Sequence, residues 1–373
     1  MPLESEIMNV ISEHAGIIDL GNINVKKSLV SNAKMIYKNG LEIAKILIKH
    51  GANINLRDSN GKTPLYNSTM IPHMIEMTRV LINNGANVNF IYKDGKTVLY
   101  NALDVCQYET IKLLINNGSN VNAQDTYGKS PLYYAIESYN IDIVKLLIKN
   151  GANINIKDNH DNTPIYSAFG CPKIIKILLR NGADINVINV CSLTPIEECV
   201  YNYIRYTPEE LAENFVHSAK IMISYLVLEY FISPKIINTI AFNKNIDTLY
   251  ERPDLKNVMM FCLKELDRMK YTMLIDGYSL DILLTGKNID FLSKLVKKVK
   301  MEHLKLSSFP VYKSVINKRI KTAKQRTVLV DNSIIKLNMV LTNSYWELLP
   351  IELKYIILSM LNNEDLLLII KYK

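Results

Sequence analysis

A chain of 373 residues is long enough for about two ordinary domains, or for one extended array plus a domain. Hydrophobic residues make up 48% and charged residues 21%, which excludes a disordered chain. The formal charge of +8 is local, because residues 290–330 hold eleven Lys and Arg against only Asp290 and Glu302, and the rest of the chain is about neutral.

From the N-terminus, Met1-Pro2-Leu3-Glu4-Ser5-Glu6 carries acids and no apolar core, so no signal peptide is expected. Residues Asn24 to Asn39 have no clear helix start, whereas Leu41 to His50 reads as an amphipathic helix leading into Gly51-Ala52-Asn53-Ile54-Asn55. Near-copies of that pentapeptide begin at Gly85, Gly118, Gly151 and Gly182, at steps of 34, 33, 33 and 31 residues. A second mark falls twelve residues after each glycine, at Thr63, Thr97, Ser130, Thr163 and Thr194. Self-similarity at this period predicts a stacked array in which each unit buries its apolar face on its neighbours.

The most regular unit runs from Asp125 to Lys157. Ser130-Pro131 predicts a helix start, the hydroxyl capping free amides and the proline occupying the first helical position. A short helix through Ser138, a turn at Tyr139-Asn140 and a second helix burying Ile143, Val144, Leu147 and Ile148 follow. Asn150-Gly151 ends that helix with a left-handed cap, and an Asn/Asp/Gly-rich finger leads to the next copy. Asp58, Asp125 and Asp158 recur in the fingers, where a carboxylate bonds turn amides. Cys106, Cys171, Cys191, Cys199 and Cys262 form no C-x-x-C pair, and buried free thiols are expected.

This helix–turn–helix–finger unit resembles the ankyrin repeat. The family pattern G-x-T-P-L-H-x-A is visible at Gly61–Tyr66, Gly95–Ala102, Gly128–Ala135 and, with Asp161 leading, Asp161–Ala168, with tyrosine in place of the family histidine throughout. The resemblance implies an all-α solenoid with β-turn or hairpin fingers. Expected boundaries are a divergent N-terminal capping repeat at 1–57 and regular repeats at 58–91, 92–124, 125–157 and 158–188. A degenerate terminal repeat follows at 189–231, stretched by Tyr201 to Glu210 before a helix from Leu211 to Phe231. The apolar run Ile221 to Phe231 is interrupted by Glu229 and is shorter than the roughly 20 residues that span a bilayer.

Beyond Phe231 the period is lost. Helices are expected near Ser233–Asn243, Asp254–Leu274, Ser279–Leu284, Asn288–Lys300 and Thr327–Asn338, with the basic window reading as a solvated face. A nucleic-acid role for that window lacks interleaved aromatics other than Phe309 and Tyr312. In the last segment Pro350 suits a first helical position, and Leu353, Ile356, Ile357, Met360 and Leu361 form an apolar stripe. Asn362-Asn363 end that helix and Asp365 begins another.

One reading of this segment is a structural cap. The other is a resemblance to the start of an F-box, carried by Leu349-Pro350, Glu352-Leu353, Ile357-Leu358 and Asp365-Leu366. Ankyrin repeats followed by a truncated F-box are the layout of poxvirus ankyrin–PRANC proteins, and an Asn/Ile/Lys/Tyr-rich composition fits an AT-rich genome. The resemblance implies a helical PRANC-type domain at 232–373 with the F-box-like motif at 345–373. It implies docking of a Skp-family adaptor through Leu349, Pro350, Leu353, Ile356, Ile357, Leu361 and Leu366, and so recruitment of a host cullin ubiquitin ligase. A host target would be held by the repeats, with Arg57, Tyr92, Lys93, Tyr127, Lys157 and His160 as finger contacts. The alternative is a scaffold that sequesters a host signalling protein, for example in NF-κB or interferon signalling, without ubiquitination. The six histidines are scattered and no phosphate-binding loop occurs, so no catalytic residue, metal or cofactor is expected. The expected location is the host cytoplasm or nucleus.

Overall fold

The computed structural model describes residues 39–58, 60–206, 209–232, 239–275, 278–286, 289–298, 306–340 and 351–371. Most of the expected N-terminal cap, together with Leu349 and Pro350, lies outside them. The described residues fall into two units that divide inside one long helix. The first draws on Met1–Met222 and Asn238–Thr248, and the second on Ile223–Ile237 and Leu249–Lys373.

The first unit is the array. Helix α1 spans Asn39–Lys49. Helix pairs follow as α2 (Pro64–Thr69) with α3 (Ile75–Asn83), α4 (Val98–Asp104) with α5 (Tyr108–Asn116), and α6 (Pro131–Glu137) with α7 (Ile141–Lys149). A 3₁₀ turn at Pro164–Ala168 precedes α8 (Pro172–Arg180). Helix α7 shows why these residues fold this way. The Asn140 side chain accepts from the Ile143 amide at 3.1 Å and starts the helix. Ile143, Val144 and Leu147 are fully buried, each stabilising by about 1.5–3 kcal/mol. Gly151, at φ +85°, closes the helix as the amides of Gly151 and Ala152 reach Ile148 O (3.1 Å) and Leu147 O (3.0 Å).

The glycine-asparagine motif joins the repeats. Asn122 Nδ2 donates to Gly151 O at 3.0 Å, and Asn122 Oδ1 accepts from Asn153 N at 2.7 Å. Asn55, Asn89 and Asn155 make the same pair of bonds to the next copy, ending on Gly182 O and Asp184 N. The tyrosine that replaces histidine gives a second tie. Tyr100 Oη lies 2.5 Å from Ala123 O and 2.8 Å from Lys129 O, on either side of the next finger. Tyr133 does the same to Ile156 O and Asn162 O, and Tyr166 to Val187 O and Leu193 O.

The Thr/Ser-Pro marks behave differently from expectation. Thr63 does cap, accepting from Tyr66 N at 3.2 Å, and Thr194 accepts from Glu197 N at 3.2 Å. The hydroxyls of Thr97, Ser130 and Thr163 are instead buried with no hydrogen-bond partner. The amides of Tyr100, Tyr133 and Tyr166 donate instead to the carbonyls of Thr97, Ser130 and Thr163 at 3.0–3.1 Å. Proline at the first helical position and burial carry these helix starts. The cysteine expectation holds for Cys199 and Cys262, but Cys106 and Cys191 are exposed. Cys106 occupies a left-handed inter-helix turn (φ +51°) and Cys191 sits on a finger, and neither position is helical.

The stretched terminal repeat is helical: α9 covers Pro195–Tyr206 and α10 covers Glu209–Ile232. Within α10, Glu213–Ile232 is long and apolar enough to cross a membrane by length and composition, more so than the sequence run suggested. Its Ser218, Ala219, Met222, Ile223 and Leu226 are buried in protein, and Ser218 donates to Phe169 O at 2.7 Å, as in a core helix. Helix α11 (Thr239–Glu251) ends the array. Its buried Asn245 accepts from the Thr194 hydroxyl at 2.6 Å and donates to Asn186 Oδ1 at 3.3 Å.

The second unit contains α12 (Pro253–Tyr271), a two-stranded antiparallel hairpin of β1 (Met273–Ile275) and β2 (Tyr278–Ser279), α13 (Ile282–Thr285) and α14 (Ile289–Lys298). A 28-residue helix, α15 (Lys313–Val340), and the pair α16 (Ile351–Ser359) and α17 (Asn363–Lys371) complete it. Buried Glu265 of α12 accepts from Tyr312 N (3.1 Å) and Val311 N (3.4 Å), holding the start of α15. Val330 and Ile334 of α15 form one core with Leu358 and Leu366.

Candidate interaction surfaces

In the array, one backbone geometry carries different side chains. Asp58, Asp125 and Asp158 each accept two turn amides, as the sequence predicts. Asp125 Oδ1, for example, takes Tyr127 N and Lys129 N, both at 2.9 Å. Asn189 performs the same task for the next finger at 3.0 Å. Each finger then returns through a left-handed residue: Gly61, Gly95, Gly128, Asp161 and Ser192, with φ between 58° and 76°. At Gly95 and Gly128 an added Cβ would lie 2.8 Å or less from the adjacent finger, so glycine there also permits the close approach. Backbone bonds of 3.0 Å link Thr126 N to Asp94 O, Asn159 N to Tyr127 O and Val190 N to His160 O.

The row of equivalent tip positions therefore reads Asn60, Asp94, Tyr127, His160 and Cys191, all exposed. Of the expected target contacts, Tyr127 and His160 stand in this row and Lys93 is exposed beside it. Arg57 is exposed, stacked 4.3 Å from the Phe90 ring centroid, and Lys157 pairs with Asp161 at 3.1 Å. Tyr92 takes the place of the turn aspartate in its finger. It is half-buried, its hydroxyl lies 2.7 Å from that of Thr63, and burial pushes its pKa up to about 12. A further cluster has no signature in the motif itself. Lys96 Nζ lies 4.4 Å from the Tyr134 ring, Tyr134 packs edge-on to Tyr100 at 5.1 Å, and the Tyr134 hydroxyl donates to Asp125 Oδ2 at 2.6 Å.

In the second unit, Asn362 starts α17, its Oδ1 accepting from Glu364 N (2.8 Å) and Asp365 N (2.9 Å) while its own amide donates to Asp365 at 3.2 Å. Leu358 and Leu366 face α15, and Leu361 packs half-buried against the same core. Ile357 (42% exposed), Met360 (81%) and Leu368 (67%) face solvent. The expected stripe is corrected here: Met360 is out and Leu358 is in. The reason is that Ile351–Ser359 is apolar on nearly every side, so periodicity does not fix the buried face. The side chains of Leu353 and Ile356 lie outside the described ones.

The basic window is also less of a solvated face than expected. Arg326 is 3% exposed and binds Asp290 (2.7 Å), Asn363 Oδ1 (2.9 Å), Leu361 O (2.6 Å) and Ser359 O (3.3 Å). Arg319 donates to Leu284 O at 2.9 Å. Among the described residues, no group of His, Cys, Asp and Glu could hold a metal ion.

A model of three-copy ankyrin repeats matches residues 33–125 and 105–189, and a PRANC-domain model matches residues 275–371. The chain thus carries ankyrin repeats followed by a PRANC domain, and it is similar to ankyrin repeat proteins of fowlpox virus. Similar proteins include the fowlpox virus ankyrin repeat protein FPV162, 36% identical over 46% of this chain and 29% of that protein. Another is fowlpox virus FPV233, 29% identical over 49% of this chain and 34% of its own length. The chain thus matches about a third of the length of these curated relatives. Ankyrin repeats and PRANC are both families of non-enzymatic interaction domains, which implies protein partners.

Proposed function

We propose that this ankyrin–PRANC protein is a substrate adaptor: the array holds a host protein and the α16–α17 pair recruits a host Skp-family adaptor with its cullin ubiquitin ligase. The observation that carries the reading is the two-faced helix pair. One face is locked on α15 through Leu358 and Leu366, while Ile357, Met360 and Leu368 present apolar surface to solvent. An exposed apolar cluster on a rigid support is the form of a protein-docking site. Leu366 and Leu361 act in this scheme by holding the pair in place, and Ile357 by contact. Leu349, Pro350, Leu353 and Ile356 belong to the same proposed surface. On the array, Tyr127 and His160 are the leading target contacts, flanked by Lys93, Arg57 and Lys157. Two binding surfaces on one chain raise the effective concentration of target lysines near the ligase. The protein itself performs no chemistry, and its place of action is the host cytoplasm or nucleus.

Co-purification from cells tests the recruiting half. Wild type recovers adaptor and cullin, and Ile357→Asp/Met360→Asp/Leu368→Asp recovers less than a tenth as much. Equal recovery by both overturns recruitment and leaves the sequestering scaffold, in which the array alone occupies a signalling protein.

A further inference from the structure

We infer that the exposed face of α15 is a second docking surface, built for an acidic amphipathic segment of a protein partner and separate from the α16–α17 surface. Helix α15 carries seven Lys and Arg against a single acid, Asp331. Two of the cations, Arg319 and Arg326, are used inside the unit. Lys313, Lys321 and Lys324 are exposed, and no described carboxylate pairs with them. Some cations of other helices are instead paired within their own helix. Lys45, Arg79, Lys145 and Lys270 each lie 2.7–3.5 Å from an acid three residues earlier.

The cations of α15 are also concentrated in its N-terminal half, where the helix dipole disfavours positive charge in the first turn. Glu265, the acid at that end, is buried and committed to the Tyr312 and Val311 amides. Beside Arg319 and Arg326, which serve the fold, Lys313, Lys321 and Lys324 give an outside anion a concentrated positive field.

The same stripe changes character along its length. From Lys321 and Lys324 the steps of 3, 4, 7 and 4 residues lead to Val328, Ile335 and Met339, which are 56%, 53% and 69% exposed. Those steps keep all five residues on one side of a helix, spanning about 27 Å at 1.5 Å per residue. Three large apolar side chains in line on an exposed helix mark a protein-contact site, not a solvated face. Cations at one end and apolar groups at the other match a segment whose carboxylates and apolar residues are segregated in the same order, about 18 residues if helical. A nucleic acid carries charge along its whole length and gains nothing from the apolar half. A membrane surface takes helices whose cations and apolar residues lie on opposite sides of the axis, not at opposite ends.

Fluorescence anisotropy on the full chain tests this with a labelled 18-residue helical peptide bearing Glu in its first half and Leu in its second. Binding should weaken at least tenfold in either Lys321→Glu/Lys324→Glu or Ile335→Ser/Met339→Ser, and should weaken with added salt. A peptide of the same composition with Glu and Leu interleaved should bind at least fivefold less tightly. A Lys-for-Glu peptide should regain affinity for the Glu variants. Circular dichroism confirms that these surface variants remain folded, and unchanged recovery of the Skp-family adaptor separates this surface from the recruiting one. The inference is overturned if the ordered peptide does not bind or binds all variants equally. It is equally overturned if a 20-nucleotide single strand or vesicles of equal phosphatidylserine and phosphatidylcholine bind more tightly than the peptide.

Discussion

The array and the C-terminal unit solve one problem in opposite ways. Both must hold short helices that could not persist alone. The array repeats modest ties: an asparagine pair at four junctions, and a tyrosine hydroxyl and a finger-to-finger backbone bond at three. The C-terminal unit has single ties at Glu265 and Arg319 and several at one residue, Arg326, which joins α14, α15 and the α16–α17 connection. Distributed ties make each one dispensable, whereas a residue that carries four bonds is a weak point.

Breaking that point should have the largest effect. Arg326→Leu removes the guanidinium from buried Asp290 and from the carbonyls of Leu361 and Ser359, at a cost of about 3–5 kcal/mol. Hydrogen exchange across residues 351–371 should lose most of its protection while the array keeps its own. Retained protection in α16–α17 would refute the hub. Next comes Gly128→Ala, whose Cβ would meet Asn159 Oδ1 at 2.5 Å and Asn159 N at 2.8 Å at φ +76°. It should cost about 2–3 kcal/mol in urea unfolding, against about 1 kcal/mol for Gly151→Ala, which is strained in φ but has open space. Equal losses would mean that finger contact contributes nothing.

A smaller contrast lies within one repeat. Tyr133→Phe deletes a hydroxyl bonded to Ile156 O and Asn162 O and should cost about 1 kcal/mol. Ser130→Ala, three residues earlier, deletes a buried hydroxyl without a partner and should be neutral or stabilising. A loss at Ser130 as large as at Tyr133 would show that the serine has a bond after all. Smallest is a pH effect in the C-terminal unit. Burial raises the Glu265 carboxyl pKa, opposed by the Tyr312 and Val311 amides and by Arg268. Its folded value thus exceeds the unfolded one, so its contribution is fully present at pH below the ordinary carboxylate range. It declines as pH rises toward the raised value. Denaturation midpoints of Glu265→Gln should vary less with pH from 4 upward than those of wild type.

The contrast also explains what could be read from sequence. The period, the glycine caps and the finger aspartates are local chemistry repeated five times, so each copy confirms the rest. The acceptors of Tyr100, Tyr133 and Tyr166 are backbone carbonyls more than twenty residues away, and a carbonyl leaves no mark in a sequence. Arg326 looks like any of the eleven cations in its window, since its burial depends on what packs over it. Pattern does not sort Met360 from Leu358, because Ile351–Ser359 is apolar on nearly every side and Met360 lies just past its end. The exposure of Cys106 is not legible in sequence because a left-handed turn position resembles a helix end in one dimension.

The asparagine and tyrosine ties of the array reach forward. Asn55, Asn89, Asn122 and Asn155 each grasp the copy that comes after them, and every junction has the same acceptors. Such a chain behaves as a set of interchangeable cassettes. A whole copy gained or lost would leave each asparagine seam complete, while copy-specific ties such as that of Tyr92 to Thr63 would change with the tip side chains. The exception is the last seam, where Asn245 arrives from α11 to meet Asn186. Turnover of interior copies therefore offers a genome a route to new partners, provided the terminal seam stays fixed.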